Sequence, residues 1–306
     1  MSRKEFFRKI SYGMGRGAIG LCDAAARVVP LSLLYGLARF MAFFGFRLAR
    51  RHRAIALDSL SRAFGQEKTP AEIRAIAEEC FYSMAGTAVE FFMFMRHPER
   101  IRRFVSIEGI ENLDAALKKG CGVVAVSAHF GSFPLLLSRL AQEGYGIHSV
   151  LRHMRDPGLD RFFEQKRHGM KVGSVYTQPR QECVNGSLRV LRDNEILFIQ
   201  LDQNFGTAGI FVDFFGEKAA TATGPIIFSL RTGAPLVPMF IRRLKGPRHH
   251  IEILPPLEID TRREKEEAVF AIVQELTGII EQQIRRYPHE WGWIHKRWKA
   301  RPKPEK

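Results

Sequence analysis

Two short polar segments that follow apolar runs hold side chains able to carry out acid–base chemistry. His129 follows the run CGVVAVSA at 121–128, and Asp202 comes shortly after the run EILFIQ at 195–200. Short apolar runs bounded by glycine and polar residues are typical of buried strands. Proteins of the α/β class place their chemistry in the loops and helix starts just beyond strand ends. We therefore expect the imidazole and the carboxylate to converge at one edge of a sheet.

The alternation of apolar runs with helical patterns beyond Ile101 predicts an α/β fold. Runs with strand character lie at 121–128, 147–152, 195–200, 234–243 and 249–256. Helical patterns separate most of these runs, and a long amphipathic pattern covers 263–286. Such alternation predicts a mixed, mostly parallel sheet flanked by helices. Upstream, helical spacing over 51–100 predicts a helical arm, in which Thr69 and Glu72 mark a helix start.

Four ordered sequence blocks resemble the bacterial lipid A late acyltransferases, a branch of the lysophospholipid acyltransferase superfamily. The blocks are AHFGSFPLL at 128–136, LRHMRDPGLDRFFEQKR at 151–167, LDQNFGTAGIFVDFFGEKAATATGPIIFSLRTGAPLVP at 201–238 and RRYPHEWGWIHKRWKARP at 285–302. The resemblance covers most of the chain and implies a glycerol-phosphate-acyltransferase-like domain over 101–300. It also implies an O-acyltransferase that moves a fatty acyl chain from acyl carrier protein to a hydroxyl of a lipid A precursor or related glycolipid. Acyl carrier protein would be a substrate, and no separate cofactor is expected.

The resemblance also assigns roles to individual residues. His129 would be the general base that takes the proton of the acceptor hydroxyl. The residues implied in substrate binding are Arg152, Gly131, Gln203, Thr221 and Gly224. Arg152 would hold a phosphate or another part of the substrate, and the Gly131 turn would offer backbone amides to the oxyanion. Thr221 and Gly224 would shape the acyl or headgroup pocket.

Pro134 departs from the family pattern. In similar proteins an acidic residue stands five positions after the histidine and orients the imidazole, whereas this chain has Pro134 there. A backbone carbonyl, Asp202 or Glu90 would have to replace that acid, or nothing does. Asp202 is the preferred substitute, because the resemblance brings its loop beside the histidine turn; the alternative is that Asp202 only braces its own loop. Glu90 has its own alternative, a structural salt bridge.

The net charge of +15 and the pI of about 10.0 limit the partners to anionic ones. Acyl carrier protein, a phosphorylated glycolipid or phospholipid acceptor and an anionic membrane surface all satisfy this condition. Nucleic acid is not expected, since no recognition helix or aromatic RNA-binding strand accompanies the charge. The four cysteines form no CxxC pair and no HExxH is present, so no metal is expected. His249 and His250 are expected at the surface.

The segment Val28–Phe46 carries one charge, Arg39, and basic residues lie on both sides of it. It is just long enough to span a bilayer, but a central arginine costs about 2.5–3.5 kcal/mol on insertion scales. The segment is therefore expected either to cross the membrane or to lie in its interface, and the alternative is a buried helix. Residues 1–50 are assigned as a membrane-associating segment. The domain that follows would face the cytoplasm at the bacterial inner membrane.

The sequence leaves three alternative functions open. The same fold could acylate a different lipid acceptor, or a catalytically silent homologue could bind lipid or acyl carrier protein without turnover. A membrane-tethered nucleic-acid binder is the third alternative and rests on charge alone.

The tryptophans Trp291, Trp293 and Trp298 suit either an interfacial belt or, for Trp293, the core. The tail from Arg301 is expected to be disordered.

Overall fold

A seven-stranded sheet with helices on both faces organises the computed structural model, which describes residues 3–95, 97–259 and 264–302. The helices are α1 (Arg3–Val28), α2 (Leu31–Leu48), α3 (Arg50–Phe64), α4 (Pro70–Phe94), α5 (Ile101–Phe104), α6 (Ile110–Leu117), α7 (Phe133–Gln142), α8 (Pro157–Gly169), α9 (Arg180–Arg192), α10 (Gly224–Thr232) and α11 (Lys265–Arg286). The strands are β1 (Val105–Glu108), β2 (Val123–Ser127), β3 (Ile147–Leu151), β4 (Val172–Tyr176), β5 (Ile196–Gln200), β6 (Ile210–Phe214), β7 (Glu217–Thr221), β8 (Leu236–Arg243) and β9 (His249–Ile253).

The order of the large sheet is β1-β9-β8-β2-β5-β3-β4, and every neighbouring pair is parallel except β8 with β9. The predicted mixed, mostly parallel sheet is thereby confirmed. Strand β2 lies at the centre and is buried along its whole length. Its side chains alternate between two hydrophobic clusters, Val124 and Val126 in one and Val123 and Ala125 in the other. Both faces of the sheet are therefore covered.

The amino-terminal helices α1, α2 and α3 all contact α4. One face of α2 is buried through Leu34, Ala38, Ala42 and Phe46, whose four-residue spacing puts them on one side of the helix. The predicted start of α4 is confirmed, since Thr69 and Glu72 form a capping box. The division of the chain at residues 50 and 100 stays a prediction.

Four strands lie outside the sequence prediction. Two of them, β1 and β4, lack the continuous apolar character of β2: β1 contains Ser106 and Glu108, and β4 contains Gly173 and Ser174. The other two form the antiparallel hairpin β6–β7, whose two-residue turn places Phe215 and Gly216 at φ of 53° and 74°. That geometry is the one favoured for tight hairpins. The hairpin lies within the block 201–238, which the resemblance treated as a single unit.

Two expectations about exposure are wrong. His249 is 1% exposed, because it is the first residue of β9 and points into the structure rather than into a loop. Burial, together with the nearby Arg243, lowers the pKa of His249 to about 3, so the ring is neutral at physiological pH. Trp291, Trp293 and Trp298 are all buried in one hydrophobic cluster, which excludes an interfacial belt and agrees with the core alternative for Trp293.

Two predicted features fall partly on residues that the structure does not describe. The last long helix begins at Lys265, and its predicted start at Arg263 lies outside the described residues. The tail expected to be disordered also lies outside them from Lys303 onward.

Candidate active site

The turn after β2 sets the position of His129. Gly131 adopts a φ of +56°, and a Cβ atom there would lie 2.0 Å from the carbonyl oxygen of Ile241. Only glycine combines this left-handed conformation with so close an approach of backbone. The chain can therefore reverse sharply between β2 and α7. His129 is left at the carboxyl edge of the central strand, as the sequence predicts for an α/β protein.

Asp202 lies beside His129 because of the strand register. Ser127 pairs with Gln200 in the parallel β2–β5 ladder, so the residues two positions further along each strand meet at the same edge. The Nδ1 atom of His129 is 2.9 Å from the Oδ1 atom of Asp202. The other carboxylate oxygen accepts a hydrogen bond of 2.7 Å from the indole N–H of Trp291. Asp202 is 1% exposed, and both of its oxygens have partners.

The two titratable groups favour each other's charged forms. Burial alone would raise the pKa of the Asp202 carboxyl, but His129 and the Trp291 indole hold this pKa well below its usual range. Burial alone would lower the pKa of His129, but the Asp202 carboxylate leaves it raised. An ionised Asp202 accepts a hydrogen bond from Nδ1–H, so the Nε2 lone pair of neutral His129 is available as a base.

Gln203 is the second polar neighbour of the imidazole. Its side-chain nitrogen lies 3.2 Å from the Nε2 atom of His129, and the side chain is exposed. When the Gln203 amide donates a hydrogen bond to Nε2, its N–H group occupies the position that a substrate hydroxyl would take. Because Gln203 is exposed, it can move aside at little cost. Gln203 therefore lies at the imidazole, and its assignment to substrate binding stays a prediction.

The free side of His129 faces a cleft of about 390 Å³, a volume within the range of small-molecule sites. The residues that line it are His52, Ser83, Met84, Thr87, His129, Gly131, Phe133, Gln203, Glu290, Gly292, Ile294 and His295. Met84, Phe133 and Ile294 provide apolar surface beside the imidazole. This combination of a base and apolar walls suits a polar reacting group that carries an apolar chain. We call this site the His129 cleft.

Residues 287–302, which follow α11 and which we call the closing segment, hold the turn after His129 in place. Phe130 and Trp291 form an antiparallel bridge, and the amide of Gly292 donates to the carbonyl of His129 over 3.3 Å. The amide of Gly131 donates to the carbonyl of Glu290 over 2.9 Å. The expectation that Gly131 gives its own amide to an oxyanion is therefore wrong. The amide of Phe133, at the first position of α7, has no acceptor among the described residues and is a better candidate.

Pro134 occupies the second position of α7, where a missing amide costs little because first-turn amides have no partner within the helix. The helix forms without an acid there, and Asp202 makes the contact with Nδ1. Glu90 does not replace the acid. It is fully buried and bonded to Arg243 and to the Tyr35 hydroxyl, as expected of a structural salt bridge.

Three residues assigned to substrate binding lie outside the His129 cleft. Arg152 is exposed one position after β3, and Gly224 is the first residue of α10. Thr221 is fully buried, and its hydroxyl accepts a 2.5 Å hydrogen bond from Arg297. The Thr221 hydroxyl therefore helps to hold the closing segment. The assignment of these residues to substrate binding stays a prediction.

Sequence reasoning missed two residues that the structure brings to the site. Trp291 bonds the far oxygen of Asp202, and His295 lines the cleft. Burial lowers the pKa of His295 despite the nearby Asp202, so this ring is neutral. Both belong to the block WGWIH at 291–295, whose resemblance to the family was visible. The block gave no indication that its side chains return to the strand ends some 90 residues earlier in the chain.

Comparisons with known proteins identify a family and several relatives of this chain. Residues 4–300 match the family described as bacterial lipid A biosynthesis acyltransferase. The chain is 27% identical to the lipid A biosynthesis palmitoleoyltransferase of Escherichia coli (strain K12) over 257 residues, which are 83% of this chain and 80% of that protein. It is 25% identical to the lipid A biosynthesis lauroyltransferase of the same strain over 277 residues, 90% and 88% of the two chains. A phosphatidylinositol mannoside acyltransferase of Mycobacterium tuberculosis (strain ATCC 25618 / H37Rv) is 28% identical over 196 residues, 63% and 60% of the two chains.

Proposed function

We propose a specific reaction for this chain, which belongs to the bacterial lipid A biosynthesis acyltransferase family. A fatty acyl group moves from the thioester of acyl carrier protein to a hydroxyl of a lipid A precursor, with His129 as the general base. Family membership supports acyl transfer to lipid A or a related glycolipid. The observation that carries the residue assignment is the 2.9 Å contact between His129 and a fully buried, ionised Asp202.

The proposed reaction follows from the orientation of the imidazole. Asp202 holds the proton on Nδ1, and Nε2 takes the proton of the acceptor hydroxyl as its oxygen attacks the thioester carbonyl. The Phe133 amide at the start of α7 stabilises the oxyanion that develops on the carbonyl oxygen. The tetrahedral intermediate then expels the thiolate, which receives the proton from the imidazolium. The products are an ester and a free thiol, and no redox step is involved.

A second candidate acceptor is a glycolipid other than a lipid A precursor. The 28% identity to a protein named for phosphatidylinositol mannoside acylation favours it, since that relative is as similar in identity as the lipid A enzymes. The base chemistry would be unchanged, because both acceptors present a sugar hydroxyl. The difference would lie in the headgroup that enters the His129 cleft.

Direct turnover tests the proposal. Purified protein in detergent is incubated with acyl carrier proteins bearing different chains and with a lipid A precursor, and the products are read by mass spectrometry. A precursor heavier by one acyl group supports the proposed reaction. Acylation of a phosphatidylinositol mannoside alone would support the second acceptor. A folded protein that gives no product with either acceptor would support the silent homologue instead.

Pro134→Glu provides a separate test of the site. We expect activity to stay within about tenfold of wild type or to fall, because Nδ1 of His129 is already bonded to Asp202 and has no vacant position for a second carboxylate. A glutamate in the first turn of α7 is compatible with the helix dipole, so folding should survive. The measurement is kcat with the same substrates, beside a thermal unfolding scan. A large activation would contradict the assignment of Asp202 and indicate a decayed dyad at position 134.

We propose that the enzyme works at the cytoplasmic face of the bacterial inner membrane, where α2 anchors it. This helix is long and apolar enough to cross a membrane, and it begins at Leu31 rather than Val28 because Pro30 interrupts the segment. Its outer face exposes Leu33, Leu37, Phe40, Met41, Phe44 and Leu48. The guanidinium of Arg39 lies 5.0 Å from the ring of Tyr82 on α4, on the side away from that apolar face. The cationic residues Arg50 and Arg51 follow shortly after α2, as expected beside anionic lipid.

Replacing Phe40 and Phe44 by serine should weaken membrane binding about tenfold or more, because burying one such ring in the membrane contributes roughly 1.5–3 kcal/mol to the free energy of binding. Sedimentation with vesicles that contain anionic lipid gives the bound fraction. Phe270→Ser is the matched control, since that ring is 45% exposed on α11, well away from α2 along the chain. Equal binding of the double variant and the control would rule out α2 as the anchor.

A further inference from the structure

A second, strongly cationic cleft of about 300 Å³ lies beside the His129 cleft. One wall is α3, through Ile55, Asp58, Ser59 and Arg62, and the other is the closing segment 296–299. None of the residues implied in substrate binding by the sequence lines it. We call it the basic cleft. Its cationic composition indicates a binding site in addition to the residues that surround His129.

The charge of the basic cleft is not balanced by protein carboxylates. Lys296 and Lys299 are exposed, and neither has an ion-pair partner among the described residues. Arg62 is paired with Asp58 over 3.0 Å, the one carboxylate among the residues that line the cleft, and with Glu217 over 3.2 Å. Arg297 is 1% exposed, and burial lowers its pKa to about 10, so it stays charged at neutral pH. The remaining excess of about three positive charges favours an anion.

The two clefts share the same supporting elements. His52 lines the His129 cleft, while Ile55, Ser59 and Arg62 line the basic cleft. These four positions recur at helical spacing on one face of α3, and ten residues of helix span about 15 Å. On the opposite wall, His295 lines one cleft and the adjacent Lys296 lines the other. A ligand with its reacting group at His129 can therefore extend along α3 into the basic cleft.

Arg297 connects the basic cleft to the catalytic loop. Its Nη1 atom donates to the carbonyl oxygen of Gln203 over 3.1 Å and to that of Ala220 over 2.6 Å. Gln203 is the residue whose side chain contacts Nε2 of His129. The loop that carries Asp202 and Gln203 is thus held by the same segment that carries the two unpaired lysines. The segment that lines the basic cleft therefore also supports a wall of the His129 cleft.

We propose that the basic cleft binds a phosphate ester of one of the two substrates, an inference that rests on the proposed function. Lysine ammonium groups bind phosphate oxygens through charge-assisted hydrogen bonds. A carrier-protein thioester is joined to its protein through a phosphodiester, and a lipid A precursor carries phosphates on its sugars. Either phosphate matches the charge and lies in the same molecule as a reacting group. The substrate that supplies it is decided by experiment.

The variant Lys296→Gln/Lys299→Gln tests the site by kinetics. We expect KM for the phosphate-bearing substrate to rise about tenfold or more while kcat changes little, because two charge-assisted contacts are lost away from the reacting atoms. Lys118→Gln/Lys119→Gln is the matched control, since it also removes two exposed lysines but lies just after α6. Lys296→Arg/Lys299→Arg retains the charge and should retain a KM near that of wild type.

Paired substrates identify the source of the phosphate. If the donor supplies it, the rise in KM appears with acyl-phosphopantetheine and disappears with acyl-pantetheine. If the acceptor supplies it, the rise appears with the phosphorylated glycolipid and disappears after dephosphorylation. An effect confined to whole acyl carrier protein would mean protein docking and would overturn the phosphate proposal, as would an unchanged KM for every substrate.

Calorimetric titration with inorganic pyrophosphate gives a readout that needs no turnover. Wild type and the lysine control should bind it, and the Lys296/Lys299 glutamine variant should bind at least about tenfold more weakly. Equal binding by all three would overturn the basic cleft as a phosphate site. Absence of turnover by wild type with intact pyrophosphate binding would instead count against the proposed reaction, so the two failures remain distinguishable.

Discussion

His129→Ala should lower kcat by about 10²–10⁴-fold, the range that a positioned general base contributes. The substitution removes Nε2, the atom proposed to take the proton of the acceptor hydroxyl. KM for either substrate should change much less, because the base acts on the reacting atoms and not on the acyl chain or headgroup. The measurement is steady-state kinetics with acyl carrier protein thioester and a lipid A precursor.

A second histidine provides the control for this variant. His168→Ala removes an exposed imidazole from the carboxyl-terminal turn of α8, which does not line the His129 cleft, and should leave kcat unchanged. Thermal unfolding of both variants separates loss of chemistry from loss of fold. Retention of more than about a third of wild-type kcat by His129→Ala would exclude the general-base role.

Asp202→Asn should lower kcat by about 10²–10⁴-fold while leaving the shape of the site nearly unchanged. A carboxylate can only accept a hydrogen bond from Nδ1–H. An amide N–H can instead donate a hydrogen bond to Nδ1, which favours the tautomer with its proton on Nε2. The base would then present a protonated nitrogen to the substrate. The same loss follows in a serine protease when the aspartate of its triad is replaced in this way.

The pH profile of Asp202→Asn gives a second, independent readout. Asp202 stabilises the imidazolium and so raises the pKa of His129. Without the negative charge, burial should lower this pKa, so more of the imidazole is neutral at acidic pH. The acidic limb of kcat/KM should therefore move to lower pH even as the maximum falls. A shift of the limb to higher pH, or no loss of rate, would contradict the proposed pairing.

A matched His–Asp pair at the surface provides the control. His153 Nδ1 lies 2.6 Å from Asp160 Oδ2, outside the His129 cleft. Asp160→Asn removes a carboxylate from a geometrically similar pair and should change neither kcat nor the pH limb. An equal effect of the two substitutions would point to a general electrostatic cause and not to orientation of the base.

Local sequence patterns predicted much of the framework. Continuous apolar runs marked β2, β5 and β8, because strands buried on both faces need apolar side chains at successive positions. The Thr69–Glu72 capping sequence marked the start of α4, since a capping box involves only neighbouring residues. His129 was found because it stands directly after such a run. In each case the physical cause lies within a few residues of the pattern.

Burial of polar residues could not be predicted in the same way. His249 reads as part of a basic loop, but it is buried beside Glu90 and Arg243, residues that lie far apart in the chain. Arg297 reads as a surface cation, but backbone carbonyls and the Thr221 hydroxyl bind it inside the protein. Arg297 can be buried because the fold supplies acceptors for its Nη1 and Nη2 atoms, and these acceptors come from distant segments.

The dyad itself shows where sequence information ends. The amino-acid order determined that an imidazole and a carboxylate each follow an apolar strand, and that position 134 has no acid. Only the tertiary structure decided that β2 and β5 are neighbours in a parallel register that brings Nδ1 within 2.9 Å of Asp202. The closing segment then adds Trp291 to the second carboxylate oxygen. Strand pairing and side-chain contact depend on which surfaces pack together, and no local pattern contains that choice.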